Sequence, residues 1–300
     1  MDILYSGKKG FECVLCLGHF DCLHLGHAEI LKKGLIERDN LLREGKKVYL
    51  AASTFTTSPA KEEDIYPFSE RIKLFESIGL DACIPLSFNE IKDMSGADFA
   101  KNIFSEYNVC AVICGADYTF GRDRLGVEEL SEICEKFGSR LFIVPFLYYN
   151  GEKISSSWIK KCLASGDMEE AAKLLGRPFS VSGLVVKGDG IGSKALGHPT
   201  ANIKAGYGLN IKQGVYGTIF EVNGKRYYSV TNYGPRPTVK RTELRLETHI
   251  PGYTDGNLYG ATGTIEFVTY LREIKNFTRL EELSEQINKD VEWVYDQIRT

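Results

Sequence analysis

Two imidazoles stand three residues apart in His24-Leu25-Gly26-His27, after an apolar run at 12–17 and at the start of a helical pattern. A strand–loop–helix junction leaves backbone N–H groups free, and the helix dipole adds partial positive charge there, so the place suits a phosphate. Gly26 has no Cβ, so a nucleotide can lie close against the backbone. The two rings can donate hydrogen bonds to phosphate oxygens and stabilise charge that develops as a phosphoryl or nucleotidyl group moves. Strand, loop, paired histidines and helix together favour this reading over two histidines that only cap a helix. Zinc is the weaker alternative, because no acid or thiol stands at metal-motif spacing as a third ligand.

Three other segments carry comparable chemistry. Gly115-Ala116-Asp117-Tyr118-Thr119-Phe120-Gly121 follows an apolar run ending at Cys114. An Asp at the carboxyl end of a parallel strand can read a ribose or an adenine; the plainer reading is an Asp that stabilises a turn. Ile154-Ser155-Ser156-Ser157-Trp158-Ile159-Lys160 opens a helix, and its three hydroxyls and amine form a second phosphate cradle unless the serines serve only as caps. Lys153 adds a basic group beside it. Further on, Gly188, Gly192 and Gly197 lie in a glycine-rich stretch that runs into Pro199-Thr200-Ala201-Asn202. Such a loop can wrap phosphates with backbone N–H groups. Thr200 and Asn202 are two apart, so on an extended segment they share a face, and their oxygens can complete a magnesium shell with nucleotide phosphates. All five histidines fall within motif segments.

The elements that must position these groups come in two kinds. Up to about residue 175, apolar runs at 12–17, 48–53, 82–86, 109–114 and 140–145 alternate with helical patterns at 24–38, 69–78, 96–107, 127–137, 156–164 and 167–175. That alternation predicts a parallel α/β sheet, and runs apolar throughout predict strands covered on both faces. Ser69 and Asp167 are the expected N-caps of their helices. After Gly176-Arg177-Pro178 the pattern changes: half of the 30 glycines lie between 178 and 265. β-Rich runs at 179–186, 215–222, 227–231, 244–250 and 262–270 predict a small antiparallel barrel, with Asn223-Gly224 as a hairpin turn. Helical periodicity returns at 279–299. The expected domains are 1–178 and 179–300.

Composition excludes several classes. The 300 residues carry a net charge of −3 and no clustered Lys or Arg, which argues against nucleic acid as a partner. No stretch approaches the length of a membrane span, and the first residues lack a signal peptide's pattern, so a cytoplasmic protein is expected, monomeric or weakly homo-oligomeric. All eight cysteines lie in the first 162 residues. Cys13 and Cys16 form a CxxC, but three residues apart on a strand they face opposite ways and cannot readily share a metal. Buried thiols are expected instead.

The segment from Gly18 to His27 resembles the HxGH signature of nucleotidyltransferases, and with Gly18, Phe20 and Asp21 it resembles the prokaryotic bifunctional riboflavin kinase/FAD synthetases in particular. His19 stands where that family usually has Asn, and Cys22 where it usually has Gly. The segments at 115–121 and 154–160 are similar to the family's Gly-x-Asp-Phe-x-Phe-Gly and Ser-Ser-Thr-x-x-Arg motifs, with Ser157 for Thr and Lys160 for Arg. Ser69-Glu70-Arg71-Ile72 followed by Gly79-Leu80-Asp81 matches in layout, with Arg71 equally readable as structural. The loop into Pro199-Thr200-Ala201-Asn202 resembles the riboflavin kinase signature, although Gly192-Ser193-Lys194-Ala195 is one residue longer than usual and His198 replaces Phe. Glu247 matches the family's catalytic Glu, a base for the attacking hydroxyl. Segments 230–238, 258–260 and 271–272 match as well, so the resemblance covers 11–175 and 179–298.

The resemblance implies a Rossmann-like nucleotidyltransferase domain followed by a β-barrel kinase. Riboflavin would be phosphorylated to FMN with Mg²⁺-ATP, and FMN adenylylated to FAD by a second ATP with release of pyrophosphate. Catalytic groups would be His24, His27 and Glu247, with ATP or phosphate held by Gly18, Phe20, Asp21, Gly26, Asp117, Ser155, Ser156, Ser157, Lys160, Gly188, Gly192, Gly197, Pro199, Thr200 and Asn202, the last two also meeting the metal. The alternatives are an FMN adenylyltransferase whose barrel only binds flavin, motivated by the altered loop, a flavin sensor without turnover, and a cytidylyltransferase acting on another small phosphate.

Overall fold

A computed structural model describes residues 1–57, 63–187, 200–235 and 244–298. The chain forms two compact units, Met1–Ser156 and Ser157–Thr300.

The first unit contains β1 (Asp2–Ile3), β2 (Glu12–Leu17), α1 (Leu25–Arg43), β3 (Val48–Phe55), α2 (Phe68–Ile78), β4 (Ala82–Leu86), α3 (Phe88–Ile91), α4 (Gly96–Tyr107), β5 (Val109–Gly115), α5 (Val127–Lys136), β6 (Arg140–Val144) and the short hairpin β7 (Tyr148–Tyr149) and β8 (Glu152–Lys153). Six strands form one parallel sheet in the order β1-β4-β3-β2-β5-β6. The strands are apolar on both faces because both faces are covered. Cys13, Leu15 and Leu17 belong to a core closed by Phe99, Ile103 and Phe104 of α4 and Leu130 of α5. Val14 and Cys16 belong to the opposite core, closed by Ile30 and Leu31 of α1 and Phe75 of α2. The CxxC is therefore split across the sheet, as its spacing predicts. Among the described residues no disulfide forms, and seven of the eight cysteines are buried.

Helix starts and stops follow local chemistry. α2 begins one residue before the expected Ser69 cap, because Pro67 takes the N-cap position at φ −63°, a value its ring fixes. It stops at Gly79, where φ is +92°. α1 runs to Arg43, past the expected end at 38, with Leu41 buried against the sheet.

The second unit starts within α6 (Ser156–Ser165) and continues through α7 (Met168–Leu175), capped as expected by Asp167, whose side chain accepts from the Glu170 N–H. Then come β9 (Phe179–Val186), β10 (Thr200–Lys204), β11 (Gly214–Val222), β12 (Lys225–Pro235), β13 (Leu244–His249), β14 (Thr262–Arg272) and α8 (Leu280–Gln297). The six strands close an antiparallel barrel in the order β10-β13-β12-β11-β14-β9, with β9 pairing back onto β10. Asn223 and Gly224 turn β11 into β12 at φ +52° and +73°, both left-handed as a type I′ hairpin requires. Inside, the fully buried hydroxyls of Ser229, Thr218, Thr231 and Thr248 form a chain of hydrogen bonds of 2.8, 2.8 and 2.9 Å. Each polar group there is satisfied by its neighbour, which removes the cost of burying it. α8 lays Val291, Val294 and Ile298 on Val215, Val230 and Leu271. Arg272 grips Asp290 of that helix at 2.7–3.1 Å.

Candidate active sites

β2 and β5 are neighbours, and the chain leaves them in opposite directions, to β3 on one side and β6 on the other. The crevice at their carboxyl ends is thus the switch point where open α/β sheets bind ligands. A cavity of about 590 Å³ lies there, lined by Gly18, His19, His24, Gly26, His27, Asp117, Ser155 and Ser156 among others.

The loop between β2 and α1 is anchored from below. Phe20 and Leu23 hold φ values of +51° and +48°, uncommon for residues with side chains, and both side chains are sunk in the core. Phe20 sets its ring edge against Phe75 and His27 at 5.8 and 5.3 Å. Neither Phe20 nor Asp21 lines the cavity; both are buried behind its wall, and Asp21 Oδ1 accepts a hydrogen bond of 2.5 Å from Ser156 Oγ. Their place is under the cavity's lining, whereas the sequence reading put them against ATP.

His24 is the N-cap of α1, and its Nδ1 accepts from the His27 N–H at 3.2 Å. An Nδ1 that accepts leaves the proton on Nε2, free to donate. The two rings stack at 3.7 Å, tilted by 13°. Burial, then the neighbouring His27, pushes His24 down to about 3. Burial, then His19, pushes His27 down to about 3. Both rings are therefore neutral at neutral pH in the ligand-free protein, and each offers one N–H. A Cβ on Gly26 would meet the His24 ring at 3.0 Å, so the glycine makes room first for that imidazole.

The rest of the lining is cationic and aromatic. Lys92, Arg124 and Lys153 line the cavity together with one carboxylate, Asp117, which Lys153 meets at 2.5 Å. Lys153 also lies 3.7 Å over the ring of Phe146, and Phe55, Phe88 and Tyr118 contribute further rings. Such a wall suits a planar ligand that carries phosphate. Arg71 is structural: wholly buried, it donates to His19 O, Thr54 Oγ1, Phe55 O and Asp64 Oδ2 at 3.1, 2.5, 2.7 and 3.2 Å. It ties α2 to β3 and to the first residues of the histidine loop. His19 Nε2 lies 3.0 Å from Asp64 Oδ1. Ser157 and Lys160 continue α6 within the second unit.

In the barrel, Asn202 of β10 sits directly across from Glu247 of β13, and Thr200 across from His249. On the other side of Glu247, Asn232 of β12 is its direct partner. Asn202, Glu247 and Asn232 thus lie in one row across three strands, on one face, close enough for neighbouring side chains to interact. Thr200 and Asn202 are buried, and Asn202 Nδ2 has no hydrogen-bond partner among the described residues. The unpartnered amide nitrogen is a donor free for a ligand oxygen, while the Asn202 Oδ1 and the Thr200 hydroxyl are hard oxygens of the kind a magnesium ion takes. Gly188, Gly192, Gly197 and Pro199, and the altered stretch at 193–195, lie outside the described residues.

Residues 8–158 match the family model for FAD synthetase, and residues 175–298 match that for riboflavin kinase. A bifunctional riboflavin kinase/FMN adenylyltransferase from Buchnera aphidicola subsp. Schizaphis graminum is 34% identical, over 96% of this chain and 94% of its own. The chain belongs to the bifunctional riboflavin kinase/FMN adenylyltransferase family. Members of that family from Bacillus subtilis and Escherichia coli K12 are 33% and 28% identical, each over 93% of this chain and 90% of theirs. A crystal structure described as a macrolide-efflux protein from Streptococcus pneumoniae has a TM-score of 0.82 at 26% identity, covering 97% of this chain and 95% of that one. Efflux is said of that protein; the two chains share a fold. Among the described residues, no helix is long and apolar enough to cross a membrane.

Sequence reasoning about this member of the family missed Arg124, Lys92 and the rings of Phe55 and Phe88, which line the cavity from remote segments. No spacing marks them, since only the parallel sheet brings them together. Asn232 had a signal, its place in a matching segment, but only strand register sets it beside Glu247.

Proposed function

We propose that this chain makes FMN and then FAD, phosphorylating riboflavin in its barrel and adenylylating FMN in its α/β unit. In the barrel, Glu247 accepts the proton of the ribityl 5′-hydroxyl as its oxygen attacks the γ-phosphorus of ATP. Asn202 and Asn232 flank that carboxylate and hold it in line. Thr200 and Asn202 would hold Mg²⁺, which offsets phosphate charge when bound.

In the α/β unit, an FMN phosphate oxygen attacks the α-phosphorus of a second ATP, the bond to the bridging oxygen breaks, and pyrophosphate leaves. His24 and His27, with the free N–H groups that open α1, stabilise the charge that builds on the α-phosphoryl oxygens. Lys92, Arg124 and Lys153 attract the anionic substrates, and the surrounding rings suit the flavin and adenine. Asp117 accepts from the nucleotide, and the Ser155 hydroxyl and the backbone N–H of Ser156 at the start of α6 donate to its phosphates. No covalent enzyme intermediate is required, because positioning and charge stabilisation suffice.

Residues 1–178 supply the adenylyltransferase and 179–300 the kinase. The protein acts in the cytoplasm, where ATP is at hand, as a monomer or weak homo-oligomer. The paired neutral histidines, set at a helix N-terminus in a cation-rimmed cavity, carry the adenylyl-transfer reading. His24→Ala is expected to slow FAD formation from FMN and ATP about 100- to 1000-fold while FMN formation from riboflavin stays at the parent rate. Glu247→Gln is expected to do the reverse. Parent-rate FAD formation by His24→Ala would remove the histidine from the mechanism.

A further inference from the structure

Sequence spacing set zinc aside at the paired histidines for want of a third ligand, and folding changes the arithmetic. One ligand atom each from Asp21, Cys22 and His27 lie within 4.8 Å of one another. The turn at Leu23, with φ +48°, folds residues 21 and 22 back toward the first turn of α1. Cys22 stands where the family usually has Gly, so this thiol is a feature of the present chain.

Two further observations point to a ligand. His27 Nδ1 is shielded from solvent and has no hydrogen-bond partner among the described residues. Ser156 Oγ donates to Asp21 Oδ1 at 2.5 Å and lies 3.7 Å from Cys22 Sγ, so a hydroxyl already braces two of the three groups, as outer partners of metal ligands do. A carboxylate oxygen, a thiolate sulfur and a neutral imidazole nitrogen suit zinc, with a fourth position left for water or a substrate oxygen. They do not suit magnesium, which takes oxygens in a near-octahedral shell. The way in is the cavity itself, which His27 and Ser156 line.

We propose that Asp21, Cys22 and His27 form a zinc site whose occupation shuts off adenylyl transfer. On binding, Cys22 gives its proton to solvent and its sulfur takes the metal. His27 is drawn into the coordination shell, and its remaining N–H is turned away from the place where it donates to the α-phosphoryl group. That consequence rests on the role given to His27 above; the metal site itself does not.

The test uses the full chain. Bound zinc is counted by competition with a chromophoric chelator, and the spectrum of the cobalt(II)-loaded protein is recorded. The parent should bind one zinc per chain and show a near-ultraviolet thiolate-to-cobalt band. Cys22→Ser should lose both, with an unchanged far-ultraviolet circular dichroism spectrum. Cys110→Ser, which alters the one cysteine that is not buried, should keep both. With excess Mg²⁺-ATP and FMN, one equivalent of zinc should slow FAD formation by the parent about a hundredfold, reversibly with a zinc-selective chelator. Cys22→Ser should keep its zinc-free rate and resist zinc. Equal zinc binding by parent and Cys22→Ser, or a cobalt spectrum without the thiolate band, would overturn the site. Zinc bound through Cys22 with FAD formation unchanged would overturn the shut-off. If the zinc-free parent made no FAD, the adenylyltransferase reading would fail, while stoichiometry and spectrum would still decide the site.

Discussion

His24 and His27 carry a thermodynamic signature as well as a chemical one. In the unfolded chain an imidazole takes up its proton near 6.5; in the fold both do so near 3, because burial disfavours the charged ring. Between those values the unfolded chain binds more protons, so stability is full above about 6.5 and falls as the pH drops. Each ring costs about 1.4 kcal/mol per pH unit in that window. His24→Asn keeps an N-cap side chain and removes one titration. Urea unfolding at pH 7 and pH 5 should therefore show the variant losing about 2 kcal/mol less than the parent over that interval. Identical losses would mean that His24 is not held neutral by the fold. The place of the pair at a helix N-terminus was legible from residue types and spacing alone. The burial that keeps it neutral was not, since it depends on Phe20 and on the wall behind it. Cys22 was illegible for the same reason: its convergence with Asp21 and His27 is set by a left-handed turn at a leucine, which no propensity foretells.

At the scale of elements, the main strands of the α/β unit were readable because burial on both faces leaves long apolar runs. β2, β4 and α4 match their expected bounds. Two-residue pieces such as β1, β7 and β8 were not readable, since two residues carry no period. Polar β10 read only as an extended segment, and β12 reaches from Lys225 to Pro235, past the expected 227–231, because pairing with β11 and β13 holds its polar ends. The connection after β5 shows how closely backbones meet around the cavity. Gly121 has φ +75°, and a Cβ there would fall 2.2 Å from the backbone nitrogen of Gly96 at the start of α4. Backbone cannot yield as a side chain tip can. Gly121→Ala is expected to destabilise the protein by about 2–4 kcal/mol, read by urea unfolding, and to raise the KM for ATP in FAD formation by moving Asp117 and Phe120. An unchanged unfolding midpoint would contradict this account of the loop.

For the whole molecule, the change in glycine content near 178 marks where the barrel strands begin. The compact unit begins earlier, at Ser157, because α7 packs on β9 and β14 and travels with them. Composition records the kind of element, whereas compactness records which elements touch. Closure of the barrel was legible from the number and regular spacing of β-rich runs. Its polar interior was not, since Thr218, Ser229, Thr231 and Thr248 look like ordinary surface positions until their hydroxyls are seen bonded to one another. The chain joins two phosphate-handling sites, and the product of one is the substrate of the other. The most direct measurement is a chromatographic time course of the full chain with riboflavin and Mg²⁺-ATP. FMN should appear first and FAD after it, with pyrophosphate released in step with FAD. Riboflavin left untouched, together with supplied FMN left unadenylylated, would contradict the account.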